Sequence, residues 1–171
     1  MKKLATVLAV GLALSSAAAM ASDGKVTING ELKTLTCTIN GGVGDIVVTL
    51  PTLSTATVTG SATGGSTAFT MDLTACSGST AKAFFEQGPN NTINGNLKNT
   101  VAGGAANVEI QLKNANDVVL DLNQPAATQD NVTADISTGS GKLTYFAQYK
   151  AVGTTTAGLV SSSTTYSLVY N

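Results

Sequence analysis

Residues 22–36 set Val26, Ile28, Gly30 and Leu32 on one side of an extended chain and Thr27, Asn29, Glu31 and Lys33 on the other. A period of two is that of a β-strand with one buried face. Asn29-Gly30 between apolar residues is also the strongest short signal for a two-residue hairpin turn, in which residues 25–28 would pair with 31–35. The apolar parity runs through Gly30 unbroken, and four residues make a poor first strand, so one continuous strand fits better.

The rest of the chain reads as further short strands separated by Gly, Asn, Ser and Thr, with no helical apolar period sustained over three turns. Residues 35–39 form a strand carrying Cys37, and residues 46–50 (IVVTL) form another, closed by Pro51. Residues 54–66 hold Val58 as their one sizeable apolar side chain and read as a loop or loose edge. Phe69, Met71, Leu73 and Ala75 alternate with Thr70, Asp72 and Thr74, giving a half-buried strand over 67–76 that ends on Cys76. Residues 82–87 make a short strand stopped by the turn cluster Gly88-Pro89-Asn90-Asn91. Val108, Ile110 and Leu112 alternate, residues 114–117 turn the chain, and residues 118–122 return as a hairpin partner before a polar loop at 124–130. Leu143, Tyr145, Ala147 and Tyr149 line one face of residues 142–150. After a Gly/Thr/Ser loop at 152–163, Tyr166, Leu168 and Tyr170 alternate up to the penultimate residue. Seven to nine strands at this spacing predict an all-β, two-sheet sandwich.

The first 21 residues change the picture of the leading strand. Lys2 and Lys3, the apolar run of residues 4–14 and Ala19-Met20-Ala21 make the three parts of a secretory signal. The apolar run is too short for a permanent membrane span. Removing 21 of 171 residues leaves 150, one domain's worth. Residues 22–35 then become a free N-terminal arm, and such arms are usually frayed and polar rather than apolar-striped. Without Lys2 and Lys3, seven lysines stand against ten acids, a net charge of −3 with no arginine. Phosphate binding needs a basic patch, so a nucleic-acid partner is excluded. Only 11% of residues are charged against 43% hydrophobic, which suits surfaces that sit against other protein. Cys37 and Cys76 are the only cysteines, and in an exported chain such a pair reads as one disulfide. A redox pair would usually be CxxC, and a metal site would need more ligands.

The candidate chemistry is thin. With no histidine, Ser-His-Asp and Cys-His catalysis and His-based metal sites fall away. Glu31, Glu86 and Glu109 sit on separate predicted strands, against a two-carboxylate glycosidase site. Asp117, Asp121 and Asn123 lack a calcium-loop spacing. Gly41-Gly42-Val43-Gly44 and Gly64-Gly65 have neither the lysine nor the following helix of a phosphate cradle. No catalytic residue, metal site or cofactor is expected. Tyr145, Tyr149, Tyr166 and Tyr170 could form a sugar-stacking platform, although alternating strand tyrosines more often pack core and edge.

The signal segment, the V-x-I-x-G-x-L arm, a cysteine soon after it and a second about 40 residues on, the TYFAQYKA strand, Gly158 and the penultimate Tyr170 together resemble the type 1 fimbrial (chaperone-usher) pilin subunits. The resemblance covers the whole chain after the signal, and its single-domain layout is similar to a shaft-building major subunit. It implies an incomplete immunoglobulin-like β-sandwich over residues 36–171 that lacks its seventh and last strand and is completed by a donor strand. Val26, Ile28 and Leu32 would be the pocket-filling side chains of that donor, with Gly30 at its close-approach position. Gly158, Tyr166, Leu168 and Tyr170 would border the groove and meet a periplasmic chaperone, whose basic residues would hold the carboxylate of Asn171. At an outer-membrane usher the arm of the next identical or related subunit would replace the chaperone strand, giving a head-to-tail filament on the cell surface. The chain departs from many relatives by ending on Asn rather than Gln and by its Thr/Gly-rich residues 54–66. The alternative of a different class is a monomeric secreted carbohydrate-binding β-sandwich.

Overall fold

The computed structural model describes residues 26–27 and 36–170. The predicted signal at 1–21, most of the predicted arm including Ile28, Gly30 and Leu32, and Asn171 lie outside the described residues. The chain divides into two units, Met1–Leu32 and Lys33–Asn171. The second unit carries every strand among the described residues.

Eight strands stand among the described residues: β1 Thr38–Ile39, β2 Thr63–Thr74, β3 Thr80–Phe85, β4 Leu97–Lys98, β5 Val108–Asn114, β6 Ala134–Asp135, β7 Gly141–Ala151 and β8 Tyr166–Tyr170. One sheet runs β1-β2-β7-β5-β4 and the other β6-β3-β8, with every pairing antiparallel. The two inner faces meet through Met71 and Leu73 on β2, Leu112 on β5 and Leu143, Tyr145 and Ala147 on β7, as the alternation predicts, and through Ala83 and Phe85 on β3. Phe85 stacks edge-on against Tyr145 at 5.0 Å between ring centroids, and Phe69 lies 5.8 Å from the same ring. Such aromatic pairs add to the area they bury.

The strand edges depart from the sequence reading in ways that packing explains. Residues 54–66 are not wholly loop, because β2 already begins at Thr63. Gly64 and Gly65 there leave room for Leu53 and Tyr149 side chains and take up the register shift between Gly64 and Thr67. Neither cysteine lies within a strand: Cys37 precedes β1, and Cys76 falls beyond β2 because Ala75 turns to φ +49°. Residues 118–122 return against β5 for a shorter stretch than expected: Lys113 and Val119 make one antiparallel bridge, flanked by the Asn114 N–H to the Val118 carbonyl and the Leu120 N–H to the Leu112 carbonyl, both at 2.9 Å, after which the Leu122 N–H turns to the Gly95 carbonyl. Leu120 and Leu122 are nevertheless fully buried. The short strands β4 and β6 carry no alternation long enough to be read from sequence.

The outer face of the large sheet holds a polar row that is also buried. Asn96 donates to Glu109 Oε2 at 2.8 Å, Gln111 to Asn96 Oδ1 at 3.3 Å and Gln148 to Gln111 Oε1 at 2.8 Å. The row satisfies its own amides and ties the residue ahead of β4 to β5 and β7.

Candidate functional site

Residues 44–50 are the departure that matters most. Ile46, Val48 and Leu50 are half-buried against the core while Asp45, Val47 and Thr49 are exposed, the period of a strand. Yet the segment belongs to no sheet, and its main chain finds no main-chain partner among the described residues. It is a strand by side chain and an orphan by backbone.

Across from it run residues 159–165 and β8. β8 pairs with β3 along Tyr166 to Phe85 and Tyr170 to Ala81. Ahead of it, Thr165, Ser161 and Leu159 carbonyls accept from the N–H groups of Glu86, Thr100 and Ala105 at 2.9–3.0 Å. Those bonds all use one edge. On the other edge the links are two tyrosine hydroxyls: Tyr166 Oη donates to the Gly44 carbonyl at 2.6 Å, and the Cys37 N–H donates to Tyr170 Oη at 3.0 Å. Burial first, and then the charge of Asp45, push the Tyr166 hydroxyl above its usual range, which keeps the proton that the Gly44 bond needs.

Between the two banks lies a cleft of about 960 Å³. Its floor is apolar, with Phe69, Met71 and Phe85, Ile110 and Leu112, and Ala147 coming from both sheets. On one bank stand Ile46, Val48 and Leu50, and on the other the half-buried row Val160, Ser162, Thr164, Tyr166 and Leu168. Ser162 Oγ is buried with no hydrogen-bond partner. Two unpaired main-chain edges over an apolar floor form a receptor for an extended peptide, which would supply ladder hydrogen bonds along its length and side chains at every second residue.

The residues singled out from sequence fall in different places. Tyr166 and Leu168 line the cleft, and Tyr170 closes its end through Cys37. Gly158 is not on the wall: it packs against the main chain of Gly104 and Ala105 and sets the path into residues 159–165. Cys37 and Cys76 are joined in a disulfide, and the Ser77 N–H bonds the Thr36 carbonyl beside it at 2.9 Å. Val26, the one described residue of the predicted donor set, is exposed. The tyrosines do not form an open platform, since Tyr145 is fully buried and Tyr149, Tyr166 and Tyr170 are half-buried. Ser162 and Thr164 were not singled out from sequence, because Ser and Thr occupy both faces of residues 161–165 and leave no hydropathy contrast. Among the described residues there is no cluster that could hold a metal ion. The Glu86 carboxylate is half-buried and accepts from the Ser167 and Thr165 hydroxyls, which in that order hold it below its ordinary range.

Fold and cleft together define a β-sandwich protein with an open strand position. A family model described as type-1 fimbrial protein, A, matches residues 50–171. The chain is 38% identical to the F17 fimbrial protein of Escherichia coli over 99% of each chain. It is also 38% identical to the major fimbrial subunit SMF-1 of Stenotrophomonas maltophilia, over 94% of this chain and 99% of that one. Its fold is similar to a chain from the structure of a chaperone-usher pilus, with a TM-score of 0.61 at 21% identity, covering 88% of this chain and 96% of the other. The chain belongs to the type-1 fimbrial protein family, whose members are structural subunits of fimbriae.

Proposed function

We propose that this subunit polymerises head to tail by strand donation, each copy receiving in its cleft the N-terminal arm of the next. The observation that carries this reading is the pair of unpaired edges, residues 44–50 and β8 with the segment before it, facing each other over an apolar floor. In this reading residues 1–21 are the export signal, residues 22–35 the donor arm and residues 36–171 the receiving domain. Val26, Ile28 and Leu32 fill the cleft, and Gly30 lets the two backbones approach. Burying three such aliphatic side chains is worth about 5–9 kcal/mol before the cost of ordering the arm. The arm and the cleft are different surfaces, so the contact is heterologous and repeats into an open fibre.

An unpaired edge over an apolar floor is an aggregation hazard while the chain is single. A periplasmic chaperone that lends a strand to the cleft, with β8 and the Asn171 carboxylate as its docking line, removes that hazard. An outer-membrane usher is then the place where the arm of the next copy takes over, leaving the fimbria on the cell surface. The test is electron microscopy of material shed by expressing cells, with size analysis across a denaturant series. Filaments that stay polymeric until the sandwich itself unfolds are expected. A uniform monomer, with or without bound sugar, would overturn the reading in favour of a secreted binding protein.

A further inference from the structure

We infer that the Tyr166 side chain is the end-stop of the strand-accepting cleft, fixing the register at which an incoming strand comes to rest. The inference rests on the strand-donation reading and adds a positioning residue to it. A strand inserted between two others stands about 4.8 Å from each, so the slot it enters is roughly 10 Å wide between banks. Tyr166 crosses that slot from β8 and donates its hydroxyl to the Gly44 carbonyl at 2.6 Å. The crossing does two things at once. The ring fills the space an inward side chain of the guest would take, and the hydroxyl engages the acceptor that the guest's N–H would use at Gly44.

The ring is not free to swing aside. It is half-buried against the core and lies 6.4 Å from the Phe85 ring, and β8 is anchored beneath it by pairing with β3 from Phe85 to Ala81. Past Tyr166 the slot is crossed a second time where Tyr170 Oη accepts from the Cys37 N–H, and Cys37 is fixed by its disulfide to Cys76. On the other side of Tyr166 nothing crosses between residues 45–50 and 160–165 among the described residues. The open run is therefore about six residues, roughly 20 Å, bounded at one end by a hydrogen-bonded side chain. A guest that slips must move by two residues, because a one-residue slip turns its apolar face outward.

The test uses filaments of the full chain assembled by cells, with a photo-cross-linking residue in place of Asn29 and mass spectrometry to locate its partners on the neighbouring copy. The unmodified cleft is expected to give one register. Tyr166→Leu, which removes the ring and the hydroxyl together, is expected to add a second register shifted by two residues toward Tyr170. Tyr166→Ala is carried alongside, so that failure of one variant to fold leaves the other to decide. Lys142→Gln, exposed on β7 and outside the cleft lining, is expected to keep the single register. Unshifted cross-links in the Tyr166 variants, or the same shift in Lys142→Gln, would overturn the end-stop and leave strand donation standing. Absence of any cross-link to either bank in the unmodified filaments would overturn strand donation itself.

Discussion

A Cβ placed on Gly158 would stand 2.4 Å from the main-chain nitrogen of Ala105, and one placed on Gly104 would stand 2.4 Å from the Leu159 carbonyl oxygen. The two glycines let two stretches of backbone interlock, with the Ala105 N–H bonding the Leu159 carbonyl at 3.0 Å. The obstruction is backbone and not a side-chain tip, so it cannot be relieved by a rotamer change. Gly158→Ala is expected to lower stability by about 1–3 kcal/mol, the usual cost of overpacking. The check is the denaturant midpoint at unchanged slope. An unshifted midpoint would mean that the segment feeding the cleft wall is not held by this contact.

The Cys37–Cys76 bridge closes a loop with a sequence separation of 39. In the chain-entropy account a loop of that length is worth about 4 kcal/mol through the unfolded state. It also fixes Cys37, whose N–H holds Tyr170. The double variant Cys37→Ser, Cys76→Ser should therefore lose about 4 kcal/mol in equilibrium unfolding. Its Tyr170 end of the cleft should exchange amide hydrogens faster than the β2–β7 ladder. Equal protection loss across both sheets would argue that the bridge stabilises only globally.

Much of the sandwich was legible because β2, β7 and β8 bury alternate large side chains, so composition and geometry carry the same period. β8 matches its predicted bounds because Tyr166, Leu168 and Tyr170 all face inward while Ser167 is exposed. β4 and β6 have two residues each, too few for any period to show. The cleft was half legible. Ile46, Val48 and Leu50 announce a strand, but a side-chain pattern says nothing of whether the backbone beside it is paired. That the missing partner is a whole strand came from a family resemblance, and the structure shows the two unpaired edges as the physical form of it. The tyrosine crossings were not legible at all, because Gly44 and Cys37 offer only backbone atoms to them.

Tyr145 is fully buried among Phe69 and Phe85, and its hydroxyl finds no hydrogen-bond partner among the described residues. Burial pushes its pKa up to about 12. A raised folded-state value means that the stability this group supports is complete below pH 10, the ordinary tyrosine value, and is lost as pH rises toward 12. The loss should total about 2–3 kcal/mol. Tyr145→Phe should remove that part of the alkaline slope and, by deleting an unpaired buried hydroxyl, cost little at neutral pH. Unfolding midpoints of both proteins at pH 8, 10 and 12 are the measurement, and parallel curves would show that Tyr145 is not the titrating group.

Replacing Ile28 by Asp separates assembly from folding. Among the described residues the core is built from side chains between Cys37 and Tyr170, and in the strand-donation reading position 28 belongs to the guest, so the variant is expected to fold. What changes is the guest strand. An isoleucine that would contribute about 1.5–3 kcal/mol on burial is exchanged for a carboxylate that must enter a floor made of Phe69, Met71, Ile110 and Leu112 or stay outside it. Among the described residues no lysine lines that cleft to pair with the charge. Thr27→Asp places the same charge one residue away on the opposite face of the strand and should be tolerated. Cells carrying Ile28→Asp should therefore show few or no filaments by electron microscopy, with soluble subunit of unchanged unfolding midpoint, while Thr27→Asp cells show them at normal number. Normal filaments from Ile28→Asp would remove the arm from the cleft. Equal loss from both variants would mean that residues 22–36 bind by net charge and not by an inward face.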